Sequence, residues 1–147
     1  PQFLGIALAM LYGGLRLEEA AALRPKDIRE EAGVLVFDVN TEAGHLKTEN
    51  ATRLVPIHSA IREHMRAVAK RGEPEANLWG LERDPRGRYS HEVSKAMNRR
   101  LAKAIRKKPE ALVLYSLRHT FATRLKSADV QEFTISELMG HAVESLA

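Results

Sequence analysis

The sequence predicts a mainly helical α+β domain in which helices surround a small antiparallel sheet. Three observations carry that reading. The chain has 147 residues, 44% apolar and 29% charged, values that suit one folded domain with a real core. Apolar residues recur at helical spacing over most of its length, between capping residues and glycine or proline stops. Two short apolar runs, Val34-Leu35-Val36-Phe37-Asp38-Val39 and Leu54-Val55-Pro56-Ile57, flank a polar stretch over 41–52, the pattern of strands joined by a turn.

The elements follow in order. Residues 3–12 are almost wholly apolar and read as a buried helix, stopped by Gly13-Gly14. A domain seldom starts on its most buried helix, so an N-terminal neighbour is expected before it. Residues 17–23, rich in Ala and Glu, read as a second helix closed by Pro25. The run 34–39 is a strand. The run 54–57 is another, and Pro56 places it at an edge or a strand end. A middle strand around 45–48 and a turn at 49–51 complete an expected sheet of two or three strands. Ser59 is a candidate cap for a helix over 60–71, with Ile61, Met65 and Val68 as its apolar stripe and Gly72 as its end. Residues 73–89 read mostly as loop. Ser90 is a candidate cap for a helix over 91–107, in which Val93, Met97, Leu101, Ala104 and Ile105 repeat at core spacing and Pro109 stops the helix. Ser116 opens a helix running to about 127. Thr134-x-x-Glu137 has the form of a capping box before a short helix ending at Gly140.

Composition narrows the chemistry. There is no cysteine, which excludes a disulfide framework, a Cys-ligated zinc and a thiol nucleophile. No apolar run is long enough to span a membrane, and residues 1–12 lack a basic leader and a cleavage site. An intracellular protein is therefore expected. The balance of 23 Lys+Arg against 19 Asp+Glu gives +4, only mildly basic. The distribution is more telling. Residues 93–109 hold Lys95, Arg99, Arg100, Lys103, Arg106, Lys107 and Lys108 and no acid. A basic face on a balanced body suits a polyanion.

No Walker-type phosphate loop, His-Glu-x-x-His or Gly-x-Ser-x-Gly motif is present. No tight acidic cluster for paired Mg²⁺ ions is evident either. Phosphate chemistry would then fall to arginine, lysine and histidine. Gly13-Gly14-Leu15-Arg16 puts an arginine where a buried helix breaks and another begins, a place suited to an anion. Tyr115-Ser116-Leu117-Arg118-His119-Thr120 puts Arg118 in the first turn of a helix. A cation there disfavours the helix, and a bound phosphate would compensate. Gly140-His141 exposes a histidine just after a helix stop.

Four segments, in order, resemble the tyrosine recombinase family, the phage-integrase type of site-specific recombinase. Leu11-Tyr12-Gly13-Gly14-Leu15-Arg16-Leu17-Glu18-Glu19 resembles its first arginine motif. Lys47 with Thr48 and the following Arg53-Leu54-Val55-Pro56-Ile57 resembles its lysine-bearing β-hairpin. Leu117-Arg118-His119-Thr120-Phe121-Ala122-Thr123 resembles its second arginine box, and Leu138-Met139-Gly140-His141 its final histidine box.

The resemblance implies the following roles. Arg16 and Arg118 clamp the non-bridging oxygens of a scissile DNA phosphate, for which the planar, permanently charged guanidinium is suited. Lys47 protonates the departing 5′ oxygen. His141 donates to the phosphate or positions the nucleophile. Glu19 holds Arg16 from behind. The charge distribution, not the resemblance, marks Lys95, Arg99, Arg100 and Lys103 as expected DNA contacts. The reaction links the DNA 3′ phosphate to a tyrosine and passes it to another 5′ hydroxyl, with no metal and no cofactor.

Two departures stand out. The family has histidine where this chain has Tyr115, and a phenol with a pKa near ~10 is a poor base at neutral pH. Tyr115 could serve as donor or as packing. The family's nucleophilic tyrosine lies past the Gly-His pair, but no tyrosine follows His141 before Ala147, and Tyr12, Tyr89 and Tyr115 are misplaced for that role. The expectation is a catalytic-domain fragment over 1–147. It would lack an N-terminal core-binding domain and the tail with the nucleophile, and would be inactive alone. Double-stranded DNA is the expected partner, with a homo-oligomer on DNA, no membrane, and a cytoplasmic, nucleoid-associated setting in a bacterium or phage. Two alternatives stay open: a DNA-binding module or decayed integrase without chemistry, and a metal-dependent nuclease.

Overall fold

The structure is a computed structural model that describes residues 2–40, 42 and 52–142. Six helices and a three-stranded sheet follow one another among them. They are α1 (Gln2–Gly13), α2 (Leu17–Ala21), β1 (Ile28–Glu31), β2 (Val34–Val39), β3 (Arg53–Pro56), α3 (Ser59–Ala69), α4 (Ser90–Ala104), α5 (Ser116–Ser127) and α6 (Glu132–Met139). A short 3₁₀ turn, Pro25–Asp27, leads into β1. The predicted helices and the α+β class are all present. No helix of the described residues is long and apolar enough to cross a membrane.

The sheet is antiparallel in the order β1-β2-β3. Phe37 pairs with Ile28 on one side and Val55 on the other, and Val39 pairs with Arg53. As the central strand, β2 buries Leu35, Val36, Phe37 and Val39, which explains its nearly unbroken apolar run. The expected strand at 45–48 lies outside the described residues. Among the described residues the third strand is β1, which the sequence did not suggest. Its Ile-Arg-Glu-Glu sequence has one buried residue and an exposed end, so an edge strand of this kind shows no apolar alternation to read. The β1–β2 turn, Ala32-Gly33, has positive φ at both positions, as the tightest hairpins require.

Other boundaries moved by a few residues. His58, not Ser59, caps α3, its Nδ1 accepting the Ala60 amide at 3.0 Å. The basic helix α4 ends at Ala104; Ile105 is extended and Lys107 takes positive φ, so Arg106, Lys107 and Lys108 leave the helix before Pro109. Helix α6 begins at Glu132, two residues before Thr134, which leaves the proposed capping box inside the helix. There the helix is fixed by burial of Ile135 and Met139.

The core lies between the sheet and the helices. Ile6 and Met10 of α1, Leu15, Phe37, Val55 and Met65 are fully buried, each worth about 1.5–3 kcal/mol relative to exposure. Helix α1 packs on α5, and α6 meets β3. At the α1–α2 break the chain passes so close to α5 that a Cβ on Gly14, at φ +65°, would lie 2.4 Å from Phe121. Only glycine meets both demands.

Helix α2 has five residues, too few to be stable alone. Its surroundings hold it at three points. Ala20 O accepts the Trp79 indole N–H at 2.7 Å, and Ala21 O accepts Asn77 Nδ2 at 2.8 Å. At its other end the Glu18 carboxylate accepts the amides of Tyr89 and Ser90 at 3.0 and 2.8 Å, placing a negative charge at the start of α4 where the helix dipole favours it. The third point is Glu19.

Candidate functional site

Arg16 stands at the N-cap of α2 in extended backbone. Its own amide donates to Glu19 Oε2 at 2.8 Å, and its Nη1 donates to Glu19 Oε1 at 2.9 Å. The first bond fixes the backbone and the second holds the guanidinium, yet 29% of the side chain stays exposed. The structure places the Glu19 carboxylate in contact with Arg16.

Arg118 lies in the first turn of α5 and is 1% exposed. Its Nη1 donates to Gly14 O, and its Nη2 donates to Met139 O at 2.7 Å. Both bonds go to carbonyls at places where helices break. Burial above all pulls its pKa down, and the nearby Arg16 adds to this while Tyr115 opposes it. A guanidinium nonetheless stays protonated in water.

The C-terminus of α6 brings these groups together. Gly140 takes φ +69°, and the amides of Gly140 and His141 return to Glu137 O and Ser136 O, the paired bonds of a Schellman stop. The last carbonyls of a helix have no partner within it. Here three in succession each receive a different arginine. Leu138 O accepts Arg53 Nε at 2.7 Å, Met139 O accepts Arg118 Nη2, and Gly140 O accepts Arg16 Nη2 at 3.0 Å. Arg16 and Arg118, 102 positions apart in sequence, therefore meet at one turn.

His141 follows at once and is exposed. Its Nε2 lies 3.0 Å from Arg118 Nη2. Since the guanidinium can only donate, Nε2 is the acceptor and the ring proton sits on Nδ1. Burial first, then Arg118, Arg16 and Arg53, lower the imidazole's pKa, so the ring is neutral at pH 7. Tyr115, 43% exposed, packs its ring edge-on to His119 at 5.3 Å. Tyr115, Arg118, His119 and His141 share the wall of one cavity of about 250 Å³.

The remaining predicted residues fall elsewhere. Lys47 lies outside the described residues. Lys95, Arg99, Arg100 and Lys103 are exposed along α4 and do not line the Arg118–His141 cavity. Lys95 pairs with Glu92 at 3.5 Å, and Arg100 lies 4.8 Å above the Phe3 ring. They form a separate basic face.

One residue at the site was given no role from sequence. Arg53, at the start of β3, makes a two-pronged ion pair with Glu19, Nη1 to Oε1 at 3.0 Å and Nη2 to Oε2 at 2.9 Å. The available signal was an arginine opening an otherwise apolar strand. Burial pushes the Glu19 carboxyl up, but the hydrogen bonds and charges of Arg53 and Arg16 outweigh it, and the net pKa is lowered. Three guanidinium groups around one carboxylate leave two positive charges at the turn. The α6 dipole, equivalent to roughly −0.5 charge, offsets only part of them. Such a surplus beside a neutral histidine suits a tetrahedral anion.

Comparison with known proteins gives the site a context. A family model described as the phage integrase family matches residues 4–146. Tyrosine recombinase XerC of Methylobacterium sp. strain 4-46 is 33% identical over 137 residues, covering 92% of this chain and 41% of the relative. XerC of Rhizobium meliloti is 32% identical over 143 residues, covering 92% and 41%. The chain thus spans less than half the length of these curated relatives. Among solved structures, the Tn1549 transposon integrase in complex with circular intermediate DNA superposes with TM-score 0.67 at 25% identity, covering 94% of this chain and 51% of that one. XerA recombinase superposes at 0.64 with 17% identity, covering 97% and 48%, a likeness of fold.

Proposed function

The chain belongs to the phage integrase family, and on that footing we propose that it is the catalytic part of a site-specific DNA recombinase. One observation carries the reading: Arg16, Arg53 and Arg118 converge on three successive carbonyls at the end of α6, beside His141. In this reading Arg16 and Arg118 hold the non-bridging oxygens of a duplex DNA phosphate. They stabilise the charge that builds up as phosphorus becomes five-coordinate. A tyrosine beyond Ala147 attacks phosphorus and loses its phenolic proton to solvent. The bond from phosphorus to the 5′ oxygen breaks, and that oxygen takes a proton from Lys47. The product is a 3′-phosphotyrosyl link, which a second 5′ hydroxyl reverses. The neutral His141 turns from Arg118 to the phosphate once an anion arrives. Lys95, Arg99, Arg100 and Lys103 grip the duplex backbone. An N-terminal domain and further copies of the protein complete the assembly on DNA in the cytoplasm.

The test is a nicked suicide duplex bearing the protein's own site, offered to the full-length protein that contains this chain. The expected product is a covalent protein–DNA adduct that forms in EDTA and is abolished by Arg118→Ala. DNA affinity should fall steeply with salt, since phosphate contacts dominate it. No adduct on the proper site defeats the proposal, and cleavage that requires Mg²⁺ indicates a metal-dependent nuclease. A second reading, a DNA-binding module without chemistry, is favoured by Tyr115 standing where the family has histidine. It predicts salt-sensitive binding and no adduct.

A further inference from the structure

Arg53 sits against the site with its fork on Glu19 and its Nε on Leu138 O. Its side chain is 8% exposed, against 29% for Arg16. We infer that Arg53 is a positioning residue, whose task is to occupy Glu19 so that Arg16 stays available to a tetrahedral anion. The inference rests on the proposed phosphate site and concerns its construction.

The argument starts from the acceptor capacity of a carboxylate. Two oxygens offer about four lone-pair positions, and four bonds arrive at Glu19. Oε1 accepts Arg16 Nη1 at 2.9 Å and Arg53 Nη1 at 3.0 Å; Oε2 accepts the Arg16 amide at 2.8 Å and Arg53 Nη2 at 2.9 Å. Arg53 therefore takes half of the carboxylate and cancels its charge. Arg16 keeps a single side-chain bond to it and directs Nη2 to Gly140 O. Without Arg53, two acceptor positions on a buried carboxylate fall empty. Buried acceptors demand partners, and the nearest unsaturated guanidinium is that of Arg16. A two-pronged Arg16–Glu19 pair would neutralise the arginine and turn it from the turn that carries His141.

Arg53 also fixes two neighbours. Its Nε holds Leu138 O, and with it the end of α6. Its backbone begins β3 in register with Val39. One side chain thus ties the first arginine to the histidine turn. A lysine carries the same charge but cannot form the fork and the Nε bond together.

The test is a titration of the 147-residue chain with inorganic sulfate at constant ionic strength, read from the NMR signals of the His141 ring. Wild type should bind saturably. Arg53→Gln and Arg53→Lys should each weaken sulfate roughly tenfold, as the loss of a charge-assisted bond implies. The control is Arg24→Gln, which breaks another buried pair, Arg24 to Asp27 at 2.9 and 3.0 Å. It should lower the melting temperature and leave sulfate affinity unchanged. If Arg53→Lys binds as wild type does, Arg53 acts only as a distant charge and the inference fails. If Arg24→Gln weakens sulfate equally, the effect is general loosening and the inference fails. Should Arg53→Gln not fold, Arg53→Lys decides alone. A wild-type chain that does not bind sulfate at His141 removes the phosphate site and this inference together.

Discussion

Replacing Gly140 with alanine adds one methyl group at the point where the arginines meet. Gly140 has φ +69°, and a Cβ there would lie 2.6 Å from Arg53 Nη1, 2.9 Å from Arg53 Cζ and 3.1 Å from Arg16 Nη1. Two costs follow. An alanine in left-handed backbone costs about 1–2 kcal/mol. The methyl must also displace a guanidinium. Arg53 is a long side chain, but Glu19 and Leu138 O hold its tip, so yielding means losing a charge-assisted bond worth about 1.5–3 kcal/mol. Together these predict about 2.5–5 kcal/mol of destabilisation, or about 5–20 °C in melting temperature for a domain of this size. Gly33→Ala is the matched control. Gly33 has φ +79° and nothing within 4 Å of its would-be Cβ, so it carries the backbone cost alone, about 1–2 kcal/mol. Urea denaturation of both variants, with sulfate titration of each, isolates the steric part. Gly140→Ala should be the less stable by about 1.5–3 kcal/mol and should lose sulfate binding, while Gly33→Ala should keep it. Equal destabilisation with sulfate affinity intact in both would refute the crowding on which the site depends.

Two pH dependences follow from the same cluster. The Glu19 carboxyl is held below its ordinary value of 4.5, so its charge stabilises the fold fully above that value, and the contribution fades as pH drops through the lowered folded value. Glu19→Gln should cost about 3 kcal/mol near neutral pH, and denaturation between pH 6 and 3 should show the gap to wild type narrowing. His141 is held neutral, its pKa below 6.5 through burial and the three arginines. A bound anion favours the protonated ring, so sulfate affinity should rise as pH falls through that lowered value and then level off. His141→Asn should flatten the profile.

Much of the site was legible because its signals are local. Gly13-Gly14-Leu15-Arg16 announces a helix break followed by a new start, and Gly140 marks a helix stop that any L-residue would strain. Glu19 sits one helical turn from Arg16, so their pairing follows from spacing alone. The strand 34–39 was readable because burial on both faces needs an unbroken apolar run. Less local features were hidden. The edge strand Ile28–Glu31 buries one side chain and therefore has no period to detect. His58 took the capping role from Ser59 because its ring nitrogen reaches the Ala60 amide. The start of α4 was set by a neighbour, Glu18 of α2, whose carboxylate accepts the Tyr89 and Ser90 amides.

The sequence by itself determined the class of fold, the succession of helices, and two arginines and a histidine at helix breaks, because each rests on propensity and spacing within a few residues. Only the tertiary structure decided that Arg16, Arg53 and Arg118 end on consecutive carbonyls of one helix, that Glu19 serves two arginines, and that the Lys95–Lys103 face stands apart from the cavity. Those outcomes depend on which orphan carbonyls and buried charges come within hydrogen-bond reach once the core has packed, and no spacing along the chain encodes that distance.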